Sequence, residues 1–246
     1  MNAKNWVNWF EKNRFGYDEP DWTQECQLES RELLAKSLAV FQLGESGGGT
    51  RLRRWAESEP ETYQLAVELF IAEEQRHADL LERVVTYLGG ELRTKQWTNS
   101  VFRGLRSAIG LEFNIQILLT AELIAEAFYG LLHTEVDDPV IKSVCGKIVR
   151  DEVQHIAFHV DFYRHRHRIE RRSPFLVGIW TWQFRAVFAL VQQVVWWDHG
   201  EALQSIGVTR RHFLRRSWGA CESFLQRVNR GLAEEGEIPA TAIDLV

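Results

Sequence analysis

Cysteine and proline are both scarce in this sequence. The three cysteines among 246 residues, Cys26, Cys145 and Cys221, are odd in number, far apart and without a CxxC spacing. They therefore exclude a disulfide framework and a cysteine-based zinc or rubredoxin-type iron site, and they favour a reduced, cytoplasmic setting. Only five prolines interrupt the chain. Few prolines force few breaks in the backbone, so long helices are expected.

Positive charge is also in short supply. The 29 lysines and arginines are outnumbered by 34 acidic residues, which leaves a formal net charge of −5. A nucleic-acid partner is not expected, because no excess of basic residues is available to neutralise phosphates. Hydrophobic residues at 45% and charged residues at 26% are typical of an ordinary globular protein.

Long uninterrupted apolar runs are missing too. The first residues lack the apolar segment and small-residue cleavage site of a signal peptide, so none is predicted. The stretch 175–197 is apolar, but Gln183, Arg185, Gln192 and Gln193 interrupt it. A buried or membrane-surface helix is therefore favoured over a membrane-spanning one.

Helix boundaries are marked by a small set of capping residues. Ser58 and Glu61 form a capping-box pattern, and Gly89-Gly90 marks the end of the helix that starts there. Asp138-Pro139 and Ser173-Pro174 are each a polar cap followed by proline, which is typical of a helix start. No stretch alternates with the period of a strand. These signals predict six helices, over about residues 24–57, 59–88, 104–135, 139–170, 174–199 and 209–231.

The connections between these helices predict how they are arranged. The connection over 89–103 is long, whereas those near Ser58 and Asp137 are tight. Two hairpins joined by a long crossover between the second and third helices is the wiring of one class of antiparallel four-helix bundle. We therefore predict one all-α domain over residues 1–246, with a bundle over 24–170 and an extension of two helices over 174–235.

Polar residues interrupt the apolar stripes of four predicted helices. Glu74 and His77 are the polar members of one stripe, and Glu152 and His155 repeat the same Glu-x-x-His spacing in another. The first and third helices each contribute one glutamate, namely Glu45 and Glu122. A buried carboxylate costs several kcal/mol unless it is paired or binds a metal, and no lysine or arginine falls at this level of the stripes. Carboxylates with imidazoles suit Fe(II) or Mn(II).

The positions of these glutamates along the hairpins support a shared site. Glu45 lies 13 residues before Ser58 and Glu74 lies 14 residues after Pro60, so both come to the same height of one hairpin (58−45 and 74−60). The second hairpin has a glutamate 15 residues before its turn at Asp137 and another 13 residues after Pro139 (137−122 and 152−139). The plainer alternative, four solvated acids and two core histidines, needs a wrong helical phase on all four helices.

This constellation resembles the di-metal site of ferritin-like carboxylate proteins, over about residues 30–165. The segment 122–155 is similar in layout to bacterial aldehyde-deformylating oxygenases, and residues 73–77 are similar to rubrerythrins. The resemblance implies a di-iron or mixed Mn/Fe centre that reacts with O2. It also implies that Glu122 and another glutamate bridge the metals, with terminal histidine ligands. The residues that match are Glu45, Glu74, His77, Glu122, Glu152 and His155.

Several neighbouring residues depart from the six-ligand pattern. Glu126 and His159 each lie one turn beyond a ligand position and are candidates for further ligands or for hydrogen-bonding roles. Glu73 and Asp151 precede ligands, and we expect them to be solvated or to act on the ligands indirectly. Tyr129 and Tyr63 lie on the same helices as ligands, and core packing is favoured over a redox role. The basic run 164–172 is expected to be a solvated helix end.

Glycines directly follow Glu45. The segment 44–50 reads Gly-Glu-Ser-Gly-Gly-Gly-Thr, which lacks the Gly-Lys-Ser/Thr ending of a phosphate-binding loop. We expect these glycines to form the wall of a substrate or O2 pocket, or to let the helix unwind when the metals bind. The extension carries an aromatic helix with Trp180, Trp182, Trp196 and Trp197, which could cover the bundle, line an apolar pocket or form a homodimer interface.

The function favoured by these features is an O2-activating oxidase or oxygenase with two Fe ions, or Mn and Fe, acting on a small, apolar organic molecule. The alternatives are a ferroxidase or iron-sequestering protein, a rubrerythrin-like peroxidase, and a bundle whose metal is structural. Since the chain has no CxxC pairs for a rubredoxin domain of its own, a redox enzyme of this type needs an external electron donor.

Overall fold

All regular structure in the described part of the chain is helical. The computed structural model describes residues 3–14, 16–94, 111–170 and 172–230. Within these ranges the predicted all-α class is confirmed. Most of the predicted crossover, the start of the third predicted helix and the end of the extension lie outside them. The helices are α1 (Ala3–Asn13), α2 (Arg31–Glu45), α3 (Thr50–Ala56), α4 (Glu61–Tyr87), α5 (Leu111–Glu135), α6 (Pro139–Ile169), α7 (Pro174–Ser205) and α8 (Arg210–Arg230).

Helix packing brings the four predicted ligand-bearing helices together. α2 packs along α4, α5 packs along α6, and α4 also contacts α6. α1 lies against α4, while α8 covers α5 and α6, and α7 contacts α8 and α2. Aromatic side chains fill the space between α4 and α6, where the Phe70 and Phe158 rings stack with centroids 5.8 Å apart. The continuous core encloses the region in which the predicted ligands lie.

The first predicted helix is wrong in its extent. In place of one helix over 24–57, the chain forms α2 and α3, separated by a turn at residues 46–49. Gly49 adopts a left-handed backbone with φ of 62°, and a Cβ atom there would lie 2.4 Å from Cδ1 of Ile71. The turn therefore requires glycine, both for its conformation and for the close approach to α4. Two other differences are an unpredicted N-terminal helix, α1, and the extension of α7 to residue 205.

Gly49→Ala is expected to lower the free energy of unfolding by about 2–4 kcal/mol. The substitution adds strain at a positive φ to a clash with a buried isoleucine. Gly48→Ala is the matched control, because its Cβ would lie 3.9 Å from Oγ1 of Thr50, an ordinary contact. Urea titration of the control should stay within about 0.5 kcal/mol of wild type. Equal stability of the two variants would show that the turn does not depend on Gly49.

Helix starts agree with the predicted caps at two of three places. Asp138 Oδ1 accepts a hydrogen bond of 2.9 Å from the Ile141 N–H at the start of α6. Ser173 does the same for Leu176 at the start of α7. The capping box predicted at Ser58 is wrong, since its hydroxyl donates to the Trp55 carbonyl and Pro60 occupies the cap position.

Two helices of the described chain, α5 and α7, are long and apolar enough to span a membrane by length and composition alone. Most of the apolar window in α5 is buried inside the protein, as in the core helix of a soluble protein. In α7 only 33% of the apolar window is buried. The two helices therefore differ in what covers their apolar surface.

Candidate metal centre

Four ligand-type side chains meet between α4 and α6. Glu74, His77, Glu152 and His155 each place one ligand atom within 4.8 Å of the others. The Glu-x-x-His spacing puts the glutamate and histidine of each helix on the same face, and these two faces oppose one another. The two histidines and Glu152 are at most 1% exposed, and the Glu74 side chain is 13% exposed. This buried group could hold a metal ion.

The contacts in this group run between the two helices. Nδ1 of His155, on α6, lies 2.7 Å from Oε1 of Glu74, on α4. In the reverse direction, Nδ1 of His77 lies 3.4 Å from Oε1 of Glu152. Glu152 Oε2 is also 3.6 Å from His155 Nδ1. Both imidazoles therefore present Nδ1 to the carboxylates at the centre of the group.

The other ring nitrogen of each histidine is held by a second carboxylate. Nε2 of His77 donates to Oδ2 of Asp151 at 3.0 Å, and Nε2 of His155 donates to Oε2 of Glu73 at 3.0 Å. This arrangement fixes the orientation of each ring and leaves Nδ1 directed at the centre. A bare Nδ1 lone pair facing a carboxylate oxygen is repulsive. A proton or a metal ion is therefore needed between them.

Buried polar atoms without a hydrogen-bond partner are concentrated at this centre. Such atoms are rare in native proteins and call for a ligand or ion. A cation placed among them would contact donor atoms of a kind that suits Fe or Mn. The residues present thus fit a metal centre. The atoms in question are Glu74 Oε1, His77 Nδ1, Glu122 Oε2, Glu152 Oε2 and His155 Nδ1.

Glu45 and Glu122 lie beside the four-residue group rather than within it. Oε1 of Glu45 accepts a hydrogen bond of 3.0 Å from the hydroxyl of Tyr129. Burial, together with the negative charges of Glu74 and Glu152, raises the pKa of Glu45 well above its ordinary value. Burial also raises the pKa of Glu122, although its histidine partner opposes the shift. All six predicted ligands are therefore close enough to influence one another, and four of them form the tight group.

The two candidates for additional ligands have different surroundings. Nε2 of His159 lies 3.1 Å from Oε1 of Glu122, and the imidazole is buried. Glu126 lies at the edge of the centre, where its carboxylate is 3.8 Å from the guanidinium of Arg216 on α8. Burial raises the pKa of Glu126. His159 thus supports a ligand candidate directly, whereas Glu126 faces a cation of the protein.

The two tyrosines also separate. Tyr129 is fully buried and contacts Glu45, and burial and that carboxylate raise the pKa of its hydroxyl well above 10. Tyr63 packs in the core, with its ring stacked on Phe158 at 5.6 Å between centroids. Tyr129 therefore positions a carboxylate of the centre, and Tyr63 fills space.

Sequence reasoning missed the hydrogen-bonding layer around the histidines. Glu73 and Asp151 are 0% and 2% exposed, so neither is solvated. Asn13 of α1 donates from Nδ2 to both of them, at 2.6 Å and 2.8 Å. Lys147 donates from Nζ to both oxygens of Asp151, at 2.6 Å and 2.7 Å. The sequence carries one signal for this layer, an acidic residue directly before each Glu-x-x-His.

Asn13→Leu is expected to weaken metal binding about 10- to 100-fold, the usual cost of losing a partner that orients a ligand. The variant keeps the size of the side chain but removes the donor that Glu73 and Asp151 share. Lys12→Ala, at the exposed neighbouring position of α1, is the control and should bind metal as wild type does. Competitive titration with a metallochromic chelator gives both affinities. Equal affinities would remove Asn13 from the centre.

A cavity of about 440 Å³ adjoins the centre, and Glu45, Glu74 and Glu122 line it. This size lies within the usual range for small-molecule sites. Gly44, Gly47 and Gly48 form part of the wall, as expected for the glycine segment, while Gly49 does not line it. The remaining walls are mostly apolar, with side chains from α2, α5 and α7 that include Val40, Phe41, Leu43, Ile117, Leu118, Ile124, Val191, Val194 and Val195.

A neutral histidine completes this cavity. His199 of α7 lies with its Nδ1 2.8 Å from the Ser37 hydroxyl and its ring 4.7 Å from that of Phe41. Burial lowers the pKa of His199 to about 4, although Asp198 opposes the shift. His199 is therefore uncharged near neutral pH, and an apolar molecule in the cavity meets no imidazolium there.

Comparison with family models, with curated proteins and with solved structures found no match to this chain. The geometry of the site therefore carries the functional argument.

Proposed function

We propose that this protein is a ferritin-like di-metal oxidase or oxygenase that uses O2 on a small, apolar organic substrate. The observation that carries the proposal is the reciprocal pairing of two Glu-x-x-His motifs across α4 and α6, with unpartnered ligand atoms directed at a common centre. The hairpins α2/α4 and α5/α6 support a four-helix bundle of this type, because each contributes ligands at the same level.

Charge and donor count favour two divalent ions. Four carboxylates and two imidazoles are available, and two divalent cations would offset the four negative charges in this buried space. In this arrangement Glu74, His155, Glu152 and His77 hold the ions, and Glu45 and Glu122 complete the set. Fe(II), alone or with Mn(II), matches these oxygen and nitrogen donors. When bound, such ions supply the electrons that reduce O2.

The protein's own residues have separate roles in this proposal. Asp151 and Glu73 orient the two histidines through Nε2, and the hydroxyl of Tyr129 positions Glu45. The adjoining cavity binds the substrate beside the centre and excludes water through its apolar wall. Electrons beyond those of the metal come from an external donor. The absence of charge on His199 favours an uncharged substrate over an anionic one.

Anaerobic loading with Fe(II), followed by exposure to O2, tests the proposal. Two ions per chain, O2 consumption that stops when two irons are oxidised, and a transient visible absorption would support it. Fewer than two ions per chain would overturn the di-metal centre. Uptake of many irons per chain would favour iron storage. Loading with Fe(II) and Mn(II) together, followed by elemental analysis, distinguishes the di-iron centre from the mixed one.

A second variant tests the cavity separately from the metal. Ala125→Leu adds volume to the wall of the cavity without touching a ligand candidate. We expect two irons per chain to bind as in wild type, and O2-dependent oxidation of apolar alcohols and aldehydes to fall at least tenfold. If the variant kept wild-type turnover of every molecule that the protein oxidises, the cavity would not be the substrate site.

A further inference from the structure

The aromatic helix α7 has two different faces. One face packs into the protein through side chains such as Phe184 and Phe188, both fully buried. The opposite face, which we call the outer face of α7, is apolar and exposed along the length of the helix. Its large side chains are Phe175, Ile179, Trp182, Leu190 and Trp197, which are 75%, 50%, 72%, 70% and 82% exposed. An apolar stripe of this length on a globular protein marks an interaction surface.

The residues of the outer face are spaced symmetrically about Ala186. Trp182 and Leu190 lie four residues before and after it, Ile179 and Gln193 seven, and Phe175 and Trp197 eleven. Two copies of such a helix, packed antiparallel with Ala186 on the two-fold axis, place each residue opposite its counterpart. Large side chains then flank a central pair of alanines, where the helices approach most closely. A surface complementary to itself in this way is what a two-fold dimer requires.

We propose that the protein forms a homodimer in which the outer face of α7 packs antiparallel against the same face of a second copy. Taking ~200 Å² for a large exposed side chain, the outer face buries roughly 700 Å² per chain, close to the ~800 Å² of a standard interface. The metal centre plays no part in this interface, so the proposal does not depend on the proposed function.

Charge at the two ends of α7 supports the antiparallel orientation. The C-terminal end carries Asp198 and Glu201, and Arg168 and Arg172 lie just before the N-terminal end. An antiparallel dimer brings the acidic end of each α7 close to the basic end of the other, which also carries the positive pole of the helix dipole. A parallel pairing would place the two acidic ends together.

The same charges argue against a membrane as the occupant of this face. Helices that lie on membranes are rich in lysine and arginine beside their apolar face. Between residues 174 and 205 the only basic side chain of that kind is Arg185, which pairs with Glu222 of α8 at 2.7 Å, against two acidic residues. A second copy of the chain therefore fits the outer face better than an anionic lipid surface.

Molar mass in solution tests the dimer. At about 20 µM, multi-angle light scattering should give twice the chain mass of 28.7 kDa for the wild type and one chain mass for Ala186→Glu. The control Leu65→Glu places the same charge at a 46%-exposed leucine of α4 and should stay dimeric. Circular dichroism and metal content should match wild type in both variants. A monomeric wild type that sediments with phosphatidylglycerol vesicles would overturn the proposal in favour of a membrane surface.

Cross-linking tests the register. In a Cys26→Ser background, which removes the partly exposed native thiol, Ala186→Cys should form an intermolecular disulfide under mild oxidation. Glu68→Cys, at an exposed position of α4, should stay largely reduced. Equal cross-linking of the two variants would show random collision, and no cross-linking of either would contradict the two-fold axis at Ala186.

Discussion

Glu152→Ala is expected to lower the metal content from two ions per chain to fewer than one. Glu152 faces Nδ1 of His77 at 3.4 Å and Nδ1 of His155 at 3.6 Å, so its carboxylate joins the two histidine positions. Loss of a residue that only orients a ligand costs about 10- to 100-fold in affinity, and loss of a ligand costs more. Elemental analysis after equilibrium dialysis against Fe(II) under anaerobic conditions measures the result.

Two companion variants separate metal binding from folding. Glu68→Ala removes an exposed glutamate of α4, paired with Arg53 at 2.8 Å, and should leave two ions per chain. Without metal, Glu152→Ala should unfold at a temperature equal to or above that of wild type, because a buried carboxylate opposes folding unless it is fully paired. Two ions per chain in Glu152→Ala would show that the centre does not use this residue.

The parts of this site that the sequence could predict are those that depend on helical spacing. Glu74 and His77, three residues apart, share a face of any α-helix, and the same holds for Glu152 and His155. Two such pairs in apolar stripes therefore predict a buried group, and α4 and α6 do bring them together. The distances from each ligand to its hairpin turn are equally local, which is why the level of Glu45 could be predicted.

The parts that could not be predicted depend on tertiary contacts. Asn13 reaches Glu73 and Asp151 because α1 packs on α4, and nothing in residues 3–13 specifies that neighbour. Glu73 and Asp151 lie off the apolar stripe, so period alone assigned them to solvent. The break after Glu45 was missed for a different reason. Helical periodicity continues through the glycines, and only the contact of Gly49 with Ile71 fixes the turn there.

Metal binding is expected to release about two protons per chain at pH 7, so that the apparent affinity rises about 100-fold for each pH unit. Burial opposes charge on His77, but hydrogen bonds with Asp151 and Glu152 raise its pKa to about 10. Burial also opposes charge on His155, and Glu74, Glu152 and Glu73 raise the pKa of that imidazole well above its ordinary value. Both rings therefore carry a proton at Nδ1 when no metal is bound, and a metal ion must displace it.

The direction of the effect follows from competition at Nδ1. Below the raised pKa values, protons occupy the ligand atoms and weaken binding, and this competition continues until the pH approaches the pKa of about 10 at His77. A site built from histidines with the ordinary pKa of about 6.5 would instead reach constant affinity just above pH 7. The interval from about pH 7.5 to 9 thus distinguishes the two cases.

Calorimetric titration with Mn(II), which does not oxidise readily under these conditions, measures the proton release from the difference in heat between two buffers of unlike ionisation enthalpy. Asp151→Asn is the matched variant. It removes the carboxylate that holds Nε2 of His77 at 3.0 Å, so the pKa of that histidine should fall and the release should decrease by about one proton. An affinity that stays constant from about pH 7.5 to 9 in the wild type would contradict this account. A pH-dependent affinity that Asp151→Asn leaves unchanged would instead place the competing proton elsewhere, on the buried carboxyl of Glu45.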